Sequence, residues 1–233
     1  MSEAKLVRAR RRMLEEIEAD MRSCAVATGR DTLSPRVLAA LKAVPRDRFV
    51  PREMEPFAYE NRPLAIGLGQ TISQPFIVAL MTDMLDLQPS DVVLEIGTGS
   101  GYQAAVLAQL AQQVYSVENL PELARTARAH LEQLGYRNVE LRTGDGHRGW
   151  AAHAPYDAVI VTAAAPEIPP ALLDQLKPGG RMMIPVGQRY ATQDLVLITK
   201  DAAGEIHRRS ILPVAFVPLV DAGTAEADAA QPH

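Results

Sequence analysis

Three acidic residues stand at the ends of successive apolar runs, and each leads into residues that turn a chain. Glu95 lies in Val92-Val93-Leu94-Glu95-Ile96 and precedes Gly97-Thr98-Gly99-Ser100-Gly101. Glu118 follows Val114-Tyr115-Ser116-Val117 and precedes Asn119, while Asp145-Gly146 comes after Val139-Glu140-Leu141-Arg142. A strand that turns through glycines into a helix leaves backbone N–H groups free to meet an anionic ligand. The spacing departs from the dinucleotide pattern GxGxxG: the third glycine comes one residue early, and Tyr102 occupies the place of the last one. A carboxylate at Glu95 would also repel a pyrophosphate.

That carboxylate suits a ligand carrying an ammonium and a sulfonium, and S-adenosylmethionine carries both. Its own carboxylate would use the N–H groups of the turn from Gly97 through Thr98, Gly99, Ser100 and Gly101. Glu118, with Asn119 beside it, can accept both ribose hydroxyls, and Asp145 with Gly146 can receive the adenine amino group. The expected cofactor is therefore S-adenosylmethionine, with no metal.

The methylated atom is narrowed by exclusion. A cysteine nucleophile for carbon methylation is missing from this part of the chain, because the single cysteine is Cys24. Amide and adenine nitrogen methylation commonly uses Asn/Asp-Pro-Pro-Tyr after the fourth strand, where this chain reads Thr162-Ala163-Ala164-Ala165-Pro166. A hydroxyl acceptor needs a general base, and His147 and His153 are poorly placed for one. A carboxylate acceptor, with a reference pKa near ~4, is already ionised at neutral pH and needs only to be held in line.

These residues are carried by alternating strand and helix patterns. Strands are expected at Val92–Ile96, Val114–Val117, Val139–Arg142, Ala158–Val161, Arg181–Pro185, Leu195–Ile198 and Ala215–Val217, with helices at Gln103–Ala111, Leu120–Leu134 and Pro170–Leu176. Strands that are almost wholly apolar predict an α/β fold: a doubly wound, mostly parallel sheet with helices on both faces, Rossmann-like. An N-terminal helical extension precedes it. Helical spacing runs from Glu3 to Ala27, Ser34-Pro35 opens a short helix, and Gln74 to Leu87 forms another, around an irregular, glycine-bearing stretch up to Ser73. The expected division is an N-terminal and active-site-loop region over 1–88, a cofactor-binding region over 89–220, and a disordered tail over 221–233.

With a net charge of −4, no global basic field is present to hold nucleic acid, and Arg8, Arg10, Arg11 and Arg12 are balanced by Glu15, Glu16, Glu18 and Asp20. No apolar run follows the basic start of the chain, so neither a signal peptide nor a membrane span is expected. The lone cysteine fits a reducing compartment. A cytoplasmic monomer is the expectation.

Several runs resemble protein-L-isoaspartate O-methyltransferases: Val44-Pro45-Arg46-Asp47-Arg48-Phe49-Val50-Pro51, Gly69-Gln70-Thr71-Ile72-Ser73-Gln74-Pro75, Glu95 to Tyr102, Gly144-Asp145-Gly146, Ala163-Ala164-Ala165-Pro166-Glu167-Ile168-Pro169, Leu176-Lys177-Pro178-Gly179-Gly180 and Phe216-Val217-Pro218-Leu219. The resemblance covers roughly Arg36 to Leu219. It implies a class I S-adenosylmethionine-dependent methyltransferase that esterifies the α-carboxylate of isoaspartyl residues in damaged proteins and so starts their repair through a succinimide. Ser73 takes the place of the family's active-site serine, although a helix N-cap would also explain a serine there. The resemblance further implies that Ile66 to Gly69, including Leu68, covers the cofactor, and that Thr71, Ile72, Ala164, Val217 and Leu219 meet the peptide. Val220 departs from the hydroxyl residue that some members carry after Pro-Leu. Methylation of a dedicated peptide, or cofactor binding without catalysis, are the alternative readings.

Overall fold

The computed structural model describes residues 3–188 and 191–220. The tail expected over 221–233 lies outside the described residues. Helices α1 (Glu3–Ser23), α2 (Ala25–Thr28) and α3 (Pro35–Ala43) lead to a hairpin of β1 (Leu64–Gly67) and β2 (Gln70–Ile72), then to α4 (Pro75–Met84). The alternating part follows: β3 (Val92–Ile96), α5 (Tyr102–Ala108), β4 (Gln113–Glu118), α6 (Pro121–Gln133), β5 (Val139–Thr143), β6 (Tyr156–Val161), α7 (Pro170–Asp174), β7 (Leu176–Val186), β8 (Gln193–Lys200) and β9 (Ile206–Val214).

The main sheet has the order β5-β4-β3-β6-β7-β8-β9. Its pairings are parallel from β5 through β7 and antiparallel from β7 through β9. The chain builds outward from β3 to β4 and β5, then returns to the other side of β3 for β6. The strand order thus reverses beside β3, where such sheets bind ligands beyond their carboxyl ends.

One face of the sheet packs Val93, Val114 and Ile160 against α4, α5 and the α1 residues Met13, Ile17 and Met21. The other packs Leu94, Val159 and Met182 with Trp150 and Tyr156. All of α4 is buried, including Asp83. That carboxylate is satisfied by Arg30 Nη1 at 2.6 Å and by the Ser34 N–H at 2.8 Å, which ties α4 to the start of α3.

Two elements differ from the sequence-based expectation. The last strand runs over Ile206–Val214 and ends before Ala215–Val217. As the sheet's outer strand it pairs only with β8, and His207, Arg208, Arg209 and Ser210 are exposed, so it lacks the apolar signature of a buried strand. The stretch before Ser73 contains a hairpin, whose turn places Leu68 at φ 53° and Gly69 at φ 70°. Two consecutive positive φ values characterise the turns whose twist matches a short hairpin.

Glu95, in the centre of β3, is fully buried. It accepts a hydrogen bond from the Ser116 hydroxyl, and its Oε1 has no partner among the described residues. Burial pushes its pKa up to about 8 from an ordinary 4.5, with the Ser116 hydroxyl opposing. The folded chain therefore retains a proton across that interval which the unfolded chain has lost. Folding stability should fall as pH rises from about 5 to about 8 and level off beyond. Glu95→Gln should remove this slope, so that denaturant unfolding shows the variant gaining on the parent protein at pH 9 relative to pH 5. Parallel stability profiles for the two proteins would count against a buried, protonated Glu95.

Candidate active site

The carboxyl ends of β3, β4 and β6 open onto a cleft of about 560 Å³. Its walls include Ile96, Gly97, Gly99, Glu118, Asn119 and Thr162. Glu118 is 6% exposed, and its two oxygens accept from different loops: Oε2 from the Gly99 N–H at 2.8 Å and Oε1 from the Leu120 N–H at 3.0 Å. Burial raises its pKa, while the backbone N–H groups pull the other way. A carboxylate offers about four lone-pair sites, so it retains acceptor capacity toward the cleft.

The glycine turn is held from both sides. The Gly97 N–H donates to Val117 O at 2.9 Å, and the Thr162 hydroxyl donates to Gly97 O at 2.6 Å. A Cβ on Gly97 would lie 2.4 Å from Thr162 Oγ1, and φ is already +91°, so this position requires glycine. Beneath the turn, Thr98 Oγ1 lies 2.5 Å from Ser116 Oγ, which in turn reaches Glu95. Glu95, Thr98, Ser100 and Gly101 are not among the cleft walls. Glu95, Thr98 and Ser100 are buried side chains that shape the turn, and Gly101 at φ 91° caps α5.

Gly146 walls the cleft, and a Cβ there would meet Ile96 at 2.5 Å and Leu219 at 3.0 Å. Asp145 is turned to its own short helical turn, accepting from the His147 N–H at 2.9 Å with Arg148 Nε 3.4 Å away. Leu68 is 54% exposed at the hairpin tip, and neither it nor Gly69 walls the cleft. The hairpin instead contributes Gln70 and Thr71, and Ile66 packs 3.4 Å from the Cβ position of Gly99.

A second cavity, of about 1010 Å³, adjoins the first. Thr71, Thr162 and Val217 wall both. Ser73, Gln74, Thr192 and Phe216 wall the second and not the first. The segment carrying Val217 and Leu219 is zipped to Ala164: the Ala164 N–H donates to Val217 O at 2.8 Å and the Leu219 N–H to Ala164 O at 2.7 Å. Ile72 is buried beside them, and Ala164 itself walls neither cavity. The described lining of this second cavity contains hydroxyl and amide groups but no acid, base or cysteine. His147 sits 3.1 Å from Asp145 and His153 stacks on Tyr115, so neither histidine reaches it.

Ser73 does not cap α4. Gln74 is the N-cap residue and makes no side-chain cap, while the Phe76 N–H is met by Asn61 Oδ1 at 3.0 Å. The carbonyl of Ser73 is instead held by Arg46 Nη2 at 2.8 Å. Arg46 is wholly buried, donates through Nε to Ala58 O at 2.9 Å, and lies 4.8 Å from the centre of the Tyr102 ring. Burial lowers its pKa to about 10, which leaves it charged at neutral pH. Sequence reasoning missed Arg46 and Thr162. Arg46 stands in the charged run Arg46-Asp47-Arg48, which gave no signal of its burial, and Thr162, an ordinary residue after a strand, gave none either.

The family model described as Protein-L-isoaspartate(D-aspartate) O-methyltransferase matches residues 24–224. A protein-L-isoaspartate O-methyltransferase 2 of Syntrophobacter fumaroxidans is 57% identical, over 91% of this chain and 85% of its own length. Its counterpart from a Polaromonas species is 56% identical, over 89% of this chain and 98% of its own. Among solved structures, a protein-L-isoaspartate O-methyltransferase superposes with a TM-score of 0.76 at 28% identity, covering 88% of this chain and 65% of that one. A Plasmodium falciparum structure described as a candidate enzyme of the same kind, in complex with S-adenosyl-L-homocysteine, shares the fold with a TM-score of 0.73 at 22% identity. The chain belongs to the protein-L-isoaspartate(D-aspartate) O-methyltransferase family.

Proposed function

We propose that the first cavity holds S-adenosylmethionine and the second holds an L-isoaspartyl residue of a damaged protein, whose α-carboxylate receives the methyl group. The observation that carries this reading is the shared wall of Thr71, Thr162 and Val217, which sets a cofactor cleft against an acceptor cavity whose described lining holds no ionisable group. S-adenosylmethionine supplies an electrophilic methyl group on a sulfonium. Glu118, with Asn119 beside it, would accept the ribose hydroxyls, the glycine turn would meet the amino-acid end, and Gly146 gives the backbone space that a purine needs. Asp145 would reach an adenine amino group only from the edge of its turn.

The acceptor arrives as an anion, so no residue has to remove a proton. The hydroxyls of Ser73 and Thr71 would orient it, and Arg46 fixes the Ser73 backbone. Oppositely charged reactants become neutral products in this transfer. A cavity whose described walls carry no charge leaves that attraction without a competitor among them. The resulting ester, with a better leaving group than the acid, favours ring closure to a succinimide whose hydrolysis returns some normal aspartate. The same proposal takes the enzyme as a cytoplasmic monomer. The single cysteine supports the compartment. No helix among the described residues is long and apolar enough to cross a membrane.

Mass spectrometry of an isoaspartyl peptide incubated with enzyme and cofactor should show one added methyl, and its aspartyl twin little. Equal labelling of the twins would refute isoaspartyl specificity. Ser73→Ala should lower kcat about tenfold or more, the loss of a hydrogen bond to a charged group, with cofactor affinity and melting temperature nearly unchanged. Unaltered turnover would remove Ser73 from the acceptor site.

A further inference from the structure

A third cavity, of about 1330 Å³, lies between α1 and the segment that leads into the hairpin. Its α1 wall carries Arg8, Arg12, Glu16, Ala19 and Asp20, and its other side includes Tyr59 and Arg62. Gln74 walls both this groove and the acceptor cavity. The three cavities therefore form a series: the cofactor cleft meets the acceptor cavity at Thr71, Thr162 and Val217, and the acceptor cavity meets the α1 groove at Gln74.

We propose that the α1 groove binds the stretch of substrate polypeptide that flanks the isoaspartyl residue on one side, with Gln74 as the residue that guides the chain between the two cavities. This inference rests on the isoaspartyl reading above. An acceptor residue inside a protein has chain leaving it in two directions, so its cavity must open onto surface that can take a strand. The carboxamide of Gln74 makes no hydrogen bond among the described residues, and it offers a donor and an acceptor, which is what a passing peptide unit needs. Most charges in the groove are already matched: Arg12 pairs with Glu16 at 2.8 Å, Arg62 with Glu60 at 2.6 Å, and Asp20 accepts from Asn61 at 2.7 Å. Arg8 reaches only the carbonyl of Ala4, at 3.3 Å, and has no carboxylate partner among the described residues. The groove thus presents one uncommitted cation at its far end, suited to an acidic side chain on the flanking chain. From Arg8 to Asp20, α1 rises about 18 Å at 1.5 Å per residue, a span that about five extended residues cover.

The test compares three synthetic isoaspartyl peptides, one of about four residues and two of about twelve that carry glutamates toward opposite ends. The long peptide with its acidic end in the groove should have the lower KM, by about three- to tenfold, as for a few exposed polar and ionic contacts. Arg8→Glu should erase the preference for the acidic flank. Ala19→Trp, at an exposed helical position that tolerates bulk, should raise the long peptide's KM while leaving its kcat and the short peptide's KM unchanged. Gln74→Ala should likewise weaken the long peptide more than the short one. Equal KM values for all peptides, or variants that affect long and short peptides alike, would overturn the groove while leaving isoaspartyl methylation standing. Failure to methylate any of the peptides would overturn the isoaspartyl reading itself.

Discussion

The carboxylate of Glu118 is gripped by two backbone N–H groups from different loops, that of Gly99 in the turn after β3 and that of Leu120 at the start of α6. This grip fixes the distance between the ends of two neighbouring parallel strands. The turn it steadies is also held by Thr162 from β6, so three strand ends are locked into one rim. Strand order reverses at this point, and the rim is where the sheet leaves open space. A carboxylate that both shapes the turn and keeps acceptor capacity toward the cleft couples folding to ligand binding.

Charge is distributed around that rim with economy. Glu95, directly under the turn, is kept protonated by burial and therefore adds no second negative charge beside Glu118. Arg46 stays charged, but its guanidinium is spent on the carbonyls of Ser73 and Ala58 and on the face of Tyr102. The described lining of the second cavity is thus uncharged, and a carboxylate placed there would have hydroxyl and amide groups on one side and the cleft beside Glu118 on the other. Such a cavity suits a nucleophile that needs positioning rather than deprotonation. The pairing between Ala164 and the chain at Val217 and Leu219 holds that shared wall with backbone hydrogen bonds.

Much of this was legible in the sequence because parallel strands buried on both faces read as mostly apolar runs, as β3, β4 and β6 do. Gly97 and Gly99 were legible for the same local reason, and so was the acidic end of β4. The hairpin was not, because four- and three-residue strands carry too little periodicity to register. Nor was β9, whose outward residues are polar and whose only partner is β8. Ser73 was read with two roles open, and the structure separates them only through a distant residue, Asn61, which supplies the cap. Arg46 and Thr162 act across long stretches of chain, and nothing in their own neighbourhoods states what they hold. Glu95 was expected to attract the ligand from beside the turn; its placement beneath the turn depends on Ser116, a contact between strands that spacing alone does not specify.

The central claim is that Glu118 serves the turn and the cofactor together, and Glu118→Gln tests it most directly. The amide keeps the shape but offers one acceptor oxygen, so one of the two N–H groups would face an NH₂ and one ribose hydroxyl would lose its partner. Isothermal calorimetry with S-adenosylmethionine should show affinity weakened about tenfold or more, on the scale of lost hydrogen bonds to a charged group, in a protein that still folds cooperatively. Unchanged cofactor affinity in the folded variant would contradict the account.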